Sequence, residues 1–399
     1  MTLNSFDLPL DMLRNRQNIK WTKYGRDVLP AWVAEMDFAI AHPIRRALER
    51  ITADQDYGYS GRPGHGGDVY LATAFQARMK NRFAWDIDPD LVQPVSDLVQ
   101  AMFSVVLALS DPGDGVILPL PAYPPFHMTI NDTGRTMLAV PLRDDGTSAA
   151  LDMDVFARQA AAPGCKIILL CNPQNPTGRV FSHDELAGIG RLAVAHDLII
   201  LSDEIHADLI FDDARHIPIA SISPEIAART ITITSATKSF NIPGLRCGVM
   251  HFGSAALRAR FHQRVHHRVL GGPGITGIDA TVAAWTDGQP WLDEVTAHLQ
   301  AMRNKVFATI ASEMPQIRAR APEATYLAWL DCSALPMAGS AFDFFHDRAK
   351  VAFNPGEAFE PGATKFVRFN FATSERIIDQ ILGRMVDAVK QSNAVRPRS

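Results

Sequence analysis

Four short segments carry side chains that chemistry can use: PAYPPF at 121 to 126, NPQNPTG at 172 to 178, SDEIHAD at 202 to 208 and SATKSFNIPGLR at 235 to 246. The last poses the sharpest question. Lys238 stands just past ThrIleThrIleThr, an alternating β-branched run that reads as a strand. In open α/β sheets the residues beyond the strand ends are where ligands bind. A lysine held there, partly desolvated, loses proton affinity and becomes a nucleophile or base; the alternative is an ordinary surface lysine.

Positioning such residues needs a sheet, and the chain supplies one. GVILPLP, CKIILLCNP, LIILSDEI and RTITITSAT are apolar strand-like runs, separated by helical patterns such as HDELAGIGRLAVAHD. Runs of this kind predict a largely parallel sheet covered by helices on both faces, an α/β fold. GDVYLATAFQARMKNRF and LVQAMFSVVLAL read as helices ahead of the sheet, the second ending at Asp-Pro-Gly. After the glycines at 271 to 274 the pattern is mostly helical to about Met314. A mixed region with YLAWLDC and KFVRFNF follows, then a closing amphipathic helix.

Read together and in order, the four segments resemble the fold-type I family of pyridoxal-phosphate enzymes, in the class I and II aminotransferase group, over nearly the whole chain. IKWTKYGRDVLPAWVAEMDF at 19 to 38, YGY at 57 to 59 and FNPGEAFEPGATKFVRFN near the end resemble its MalY/PatB branch of cystathionine β-lyases and cysteine-S-conjugate lyases. The resemblance implies a large domain with a mainly parallel seven-stranded sheet plus a smaller α+β C-terminal domain. The expected division is 1–49 as N-terminal arm and part of the small domain, 50–285 as the cofactor-binding domain and 286–399 as the small domain.

It also implies roles. Lys238 is the lysine that joins the cofactor aldehyde and Tyr123 the aromatic that covers the ring; both are the expected catalytic residues. Asp203 faces the ring nitrogen, with a helix N-cap as its plainer reading. Asn175 and His206 stand beside the phenolic oxygen, the plainer reading of the Asn-Pro and Pro-Thr-Gly steps being that they build turns; Asn172 is the weaker candidate of the two asparagines. Ser235, Arg246 and the amides of Leu98 and Val99 bind the phosphate, joined by Tyr59 from a second copy in a homodimer with a shared active site. Arg368, with Asn175, grips the substrate α-carboxylate, for which a planar guanidinium is suited. One position departs from the pattern: Asp97 stands where much of the family has glycine, and a carboxylate there repels a phosphate unless it is turned away.

Composition narrows the partners. The formal net charge is -4 across 399 residues, which offers no broad basic surface for nucleic acid or anionic lipid. The longest weakly polar run falls short of the roughly 20 residues a membrane span needs, and the first residues lack an apolar signal stretch. Four scattered cysteines fit buried thiols in a reducing, cytoplasmic setting. His65, His206, His216, His266 and His267 lack metal-ligand spacing. The expected activity is a carbon–sulfur β-lyase acting on L-cystathionine or a related L-cysteine S-conjugate. An aminotransferase passing the amino group to a 2-oxo acid is the alternative, and a non-catalytic regulator comes third.

Overall fold

In the computed structural model, residues 5–62, 64–144 and 149–394 are described. The central sheet comprises β1 (Val92–Val95), β2 (Gly115–Leu120), β3 (Thr136–Asp144), β4 (Ala149–Leu151), β5 (Cys165–Cys171), β6 (Ile199–Asp203), β7 (Thr230–Thr234) and β8 (Gly248–Phe252). Their order is β1-β8-β7-β6-β5-β2-β3-β4. The neighbours from β7 to β3 are parallel, while β8 runs antiparallel between β7 and β1. The seven expected strands gain a short eighth for a geometric reason. β3 outruns β2, and its last residues, Leu142 to Asp144, pair instead with Ala149–Leu151, which covers an edge otherwise open.

β6, β7 and β8 are buried at every residue. The sheet is therefore covered on both faces, and the threonines of ThrIleThrIleThr must find partners inside it. Thr230 Oγ1 donates to Ile226 O at 2.7 Å and Thr234 Oγ1 to Glu204 O at 3.1 Å, so two of the three hydroxyls are met by backbone carbonyls. The helices start as their sequences direct. Asp97 caps the helix Leu98–Leu109, and Ser182 with Glu185 forms a reciprocal capping box for His183–Ala195.

The C-terminal part builds a second, antiparallel sheet from Arg318–Ala319, Leu327–Asp331, Phe366–Asn370 and Asn354–Pro355. The N-terminal arm is tied to this part of the chain by a separate two-stranded parallel pair, Leu29–Pro30 with Val351–Ala352. A buried ion pair fixes the arm's fold, Lys20 Nζ to Asp37 Oδ2 at 2.8 Å, and Trp21 Nε1 donates to the other carboxylate oxygen. One apolar cluster runs from Leu29 and Phe38 of the arm through Phe240 and Trp285 to Phe369 and Met385, which clamps arm, large sheet and C-terminal layer together. All four cysteines are buried free thiols.

Candidate active site

The strand topology gathers the expected residues at one end of the large sheet. β2, β5, β6 and β7 are mutually parallel, so the segments holding Tyr123, Asn175, Asp203 and Lys238 all leave the sheet on the same side. β1 and β8 bring two more. Gly248 pairs with Val95, so Arg246 and Asp97, each two residues beyond that pair, meet at the same edge.

Lys238 follows β7 in a loop that folds back on itself through Phe240 N–H to Ala236 O and Ile242 N–H to Thr237 O. Asn241, at φ 57°, sits in the left-handed region that asparagine tolerates better than most residues. Its side chain accepts from Met36 N–H at 2.8 Å and donates to Met36 O at 2.9 Å, which fastens the loop to the arm. Lys238 Nζ, half-buried, then donates to Ala34 O at 3.0 Å. Burial first and the Arg368 guanidinium second lower its pKa to about 8, against pulls from Glu35, Asp203 and Asp97. Lys238 is thus the weakly basic amine the sequence suggests.

Asp203 ends β6 and is buried, with Oδ1 accepting Ile205 N–H at 3.1 Å. Burial drives its pKa up to about 7, against the Ile205 hydrogen bond, while Glu204 adds to the rise and Lys238 opposes it. A carboxylate this poorly solvated favours a cationic N–H beside it. His206, equally buried, faces Tyr326 edge-on with ring centroids 6.1 Å apart. Burial, then the charges of Lys238 and Arg368, push its pKa down to about 3, so the ring is neutral. Beneath these lies a network the sequence did not signal. Glu204 Oε2 is 2.9 Å from His216 Nε2, Ser202 Oγ donates to Glu204 Oε1, and His216 Nδ1 is 3.4 Å from Asn172 Nδ2. Asn172 also accepts Phe181 N–H at 3.0 Å, which gives it a structural task.

Arg368 lies on the strand Phe366–Asn370 and is buried. It donates to Asn175 Oδ1 at 2.9 Å, Trp32 O at 3.0 Å and Asn354 Oδ1 at 3.0 Å, and its guanidinium sits 4.8 Å over the Phe359 ring. Burial lowers its pKa to about 10, with Tyr123 and Tyr326 opposing. It remains a cation whose present partners are neutral, as a carboxylate binder requires. Tyr123 precedes the helix Pro124–Asp132 and packs edge-on against Phe126. Burial raises its pKa, so its hydroxyl stays protonated. Tyr326, whose hydroxyl donates to Ala34 O at 3.1 Å, is a further wall residue.

The residues expected at a phosphate are arranged less simply. Ser235 Oγ lies 2.5 Å from Cys247 O and 2.9 Å from Thr237 Oγ1, and it accepts Thr237 N–H, so its hydroxyl helps close the lysine loop. Arg246 pairs with Asp97 at 2.9 Å, and the same carboxylate accepts Val99 N–H at 2.8 Å. Tyr59 is fully exposed on the loop before Gly61–Arg62, outside the cluster formed within one chain.

Among the described residues, His206 Nδ1 and Arg368 Nε are buried without a hydrogen-bond partner. Unmet polar atoms beside a weakly basic lysine and a buried carboxylate fit a polar ring-bearing group that condenses with an amine. Lys238, Asp203, Asn175 and Arg368, expected from local motifs or from the resemblance, lie in one cluster. The sequence reading missed Ala34, Glu35, Asn354 and Tyr326, which arrive from distant elements or act through backbone atoms, and Asn241, which lies inside the lysine segment but whose partner, Met36, is distant.

Residues 35–385 match the family described as aminotransferase class I and II. The chain is 32% identical over 379 residues to cystathionine β-lyase PatB of Bacillus subtilis, covering 94% of this chain and 97% of that protein. The crystal structure of cystalysin from Treponema denticola, which contains a pyridoxal 5'-phosphate cofactor, superposes with a TM-score of 0.87 at 30% identity, covering 95% of this chain and 97% of that one. N-succinyldiaminopimelate aminotransferase from Mycobacterium tuberculosis superposes at 0.81 with 28% identity, over 90% of this chain and 92% of that one.

Proposed function

The chain belongs to the class I and II aminotransferase family, and from that premise we propose a pyridoxal-phosphate-dependent carbon–sulfur β-lyase. Its substrate is L-cystathionine or a related L-cysteine S-conjugate, and its products are a thiol, pyruvate and ammonia. One observation carries the reading. Lys238 and Arg368 donate to the carbonyls of Ala34 and Trp32, inside the arm segment whose sequence resembles the lyase branch. The part of the chain that favours lyase over aminotransferase is therefore a wall of the site.

Bound pyridoxal phosphate supplies an aldehyde that condenses with amines and a ring that draws electrons from the substrate Cα. Asp203, Asn175, His206 and Tyr123 are the residues that would surround the ring, and Ser235, Arg246, Leu98 and Val99 those that would hold the phosphate. The Asp203 carboxylate would hold a proton on the ring nitrogen. Arg368 exchanges its carbonyl and amide partners for the two oxygens of the substrate α-carboxylate, which fixes the substrate's orientation. Lys238 Nζ, neutral above about 8, takes the Cα proton. Tyr123 helps exclude water from the reacting carbons. The thiolate then leaves Cβ, and hydrolysis of the remainder yields pyruvate and ammonia.

The same reading assigns 50–285 to the cofactor-binding domain and 286–399, with part of the arm, to the smaller one. It places the enzyme in the cytoplasm as a homodimer, with Tyr59 of each copy reaching the other's phosphate site. Exposure of Tyr57 and Tyr59 on one loop supports that surface. Among the described residues, no helix is long and apolar enough to cross a membrane.

The test is direct. Protein incubated with pyridoxal phosphate should absorb in the visible, and Lys238→Ala should abolish the band. Given cystathionine and no oxo acid, the enzyme should release pyruvate and free thiol. Amino transfer that appears only when a 2-oxo acid is added would reject the lyase in favour of the aminotransferase.

A further inference from the structure

Asp97 stands where an anion would bind. Its Oδ1 accepts the backbone N–H groups of Val99 at 2.8 Å and Gln100 at 3.1 Å, at the start of the helix Leu98–Leu109. Its other oxygen, Oδ2, lies 2.9 Å from Arg246 Nη2. One carboxylate thus satisfies a helix N-terminus and a guanidinium, the two kinds of donor a phosphate seeks. The pairing is built into the sheet, since the Val95–Gly248 register fixes where both side chains emerge. Both side chains reach solvent, Arg246 at 64% and Asp97 at 28% exposure.

We propose that Asp97 is an internal competitor for the cofactor's phosphate. This rests on reading the corner as a phosphate site. A phosphate can use Arg246 and the Val99 amide only after the Asp97 carboxylate gives them up, and it then sits beside a like charge. The cofactor is consequently held more loosely than its other contacts allow, and it exchanges with the free pool more readily than it would with an uncharged residue at 97. Asp97 acts chiefly on affinity, because its contacts are with Arg246 and the Val99 and Gln100 amides at the phosphate end; at Lys238 its charge is the weakest of the three acidic pulls.

The test compares dissociation constants for pyridoxal phosphate and for pyridoxal, which lacks the phosphate, read from the Lys238-dependent visible band. Asp97→Asn keeps a side-chain oxygen for the helix cap and removes the charge; Asp97→Ser is the second variant. Both should bind pyridoxal phosphate about tenfold more tightly than the wild type, the scale of one partly solvated charge contact. At a pH well above 8, where Lys238 is neutral in all three, pyridoxal should bind them alike, and inorganic phosphate should compete better in the variants. Equal or weaker binding of pyridoxal phosphate by both variants would overturn the proposal, as would an equal gain for pyridoxal. If no protein develops a Lys238-dependent band with either compound, the phosphate-site reading itself fails and the proposal falls with it.

Discussion

Lys238 gives up its proton easily because burial and Arg368 outweigh Glu35, Asp203 and Asp97, which leaves its pKa at about 8. Condensation with an aldehyde needs the neutral amine. The rate at which added pyridoxal phosphate develops the visible band should therefore climb with pH and level off above about 8; a flat profile between about pH 6.5 and 9.5 would rule out a low-pKa lysine. Asp203 has the opposite sign. Its folded pKa, about 7, is raised from 3.8, so its burial costs nothing below 3.8, costs progressively more as pH rises, and costs the full amount above about 7. Asp203→Asn should therefore melt higher than the wild type near pH 8, by a margin that shrinks toward pH 4, while kcat falls by about 100-fold or more. Melting curves against pH with kinetics at one pH would check both halves; a variant less stable at pH 8 would contradict the buried, poorly solvated carboxylate.

At the scale of elements, the site depends on turns that must sit closer than a side chain permits. Gly277 lies in the helix Ile275–Asp287, and a Cβ there would come 2.5 Å from Leu245 O and 3.0 Å from Cys247 Cβ. Leu245 ends the short turn Pro243–Leu245, and Arg246 follows in the left-handed region at φ 47°. Gly277→Ala must push that turn away from the helix. The expected result is a loss of about 1–3 kcal/mol of stability together with weaker retention of pyridoxal phosphate, because Arg246 moves with the turn. Calorimetry and cofactor titration measure the two effects, and unchanged values for both would show that the helix and turn yield more freely than their packing suggests.

For the whole molecule, the decisive question is how two copies combine. Tyr59 is fully exposed in one chain, while Lys238 is enclosed by its own arm. If Tyr59 completes the neighbour's phosphate site, Lys238→Ala and Tyr59→Ala subunits are complementary: a mixed dimer holds one site with both residues intact. Mixing the two weakly active variants and allowing exchange should restore about a quarter of wild-type activity, since half the dimers are mixed and each carries one good site. No recovery, with exchange confirmed by mass-tagged subunits, would place Tyr59 outside the active site.

Much of this was legible in the chain itself. Continuous apolar runs fixed a covered parallel sheet, and short motifs at strand ends marked Lys238, Asp203 and Asn175, because local spacing governs which residues leave a strand's end; Arg368, inside the strand Phe366–Asn370, was marked by the family resemblance alone. The carbonyl of Ala34 at the lysine, Asn241 clamped to Met36, the Glu204–His216 pair and the Asp97–Arg246 pair were not legible. Three of these join residues far apart in sequence, brought together by sheet register or arm docking, and Glu204 meets His216, twelve residues on, across the loop that follows β6. Sequence determined which polar and ionisable groups stand at the strand ends; the tertiary structure decided their proton affinities and partners, since burial and proximity between distant segments set both.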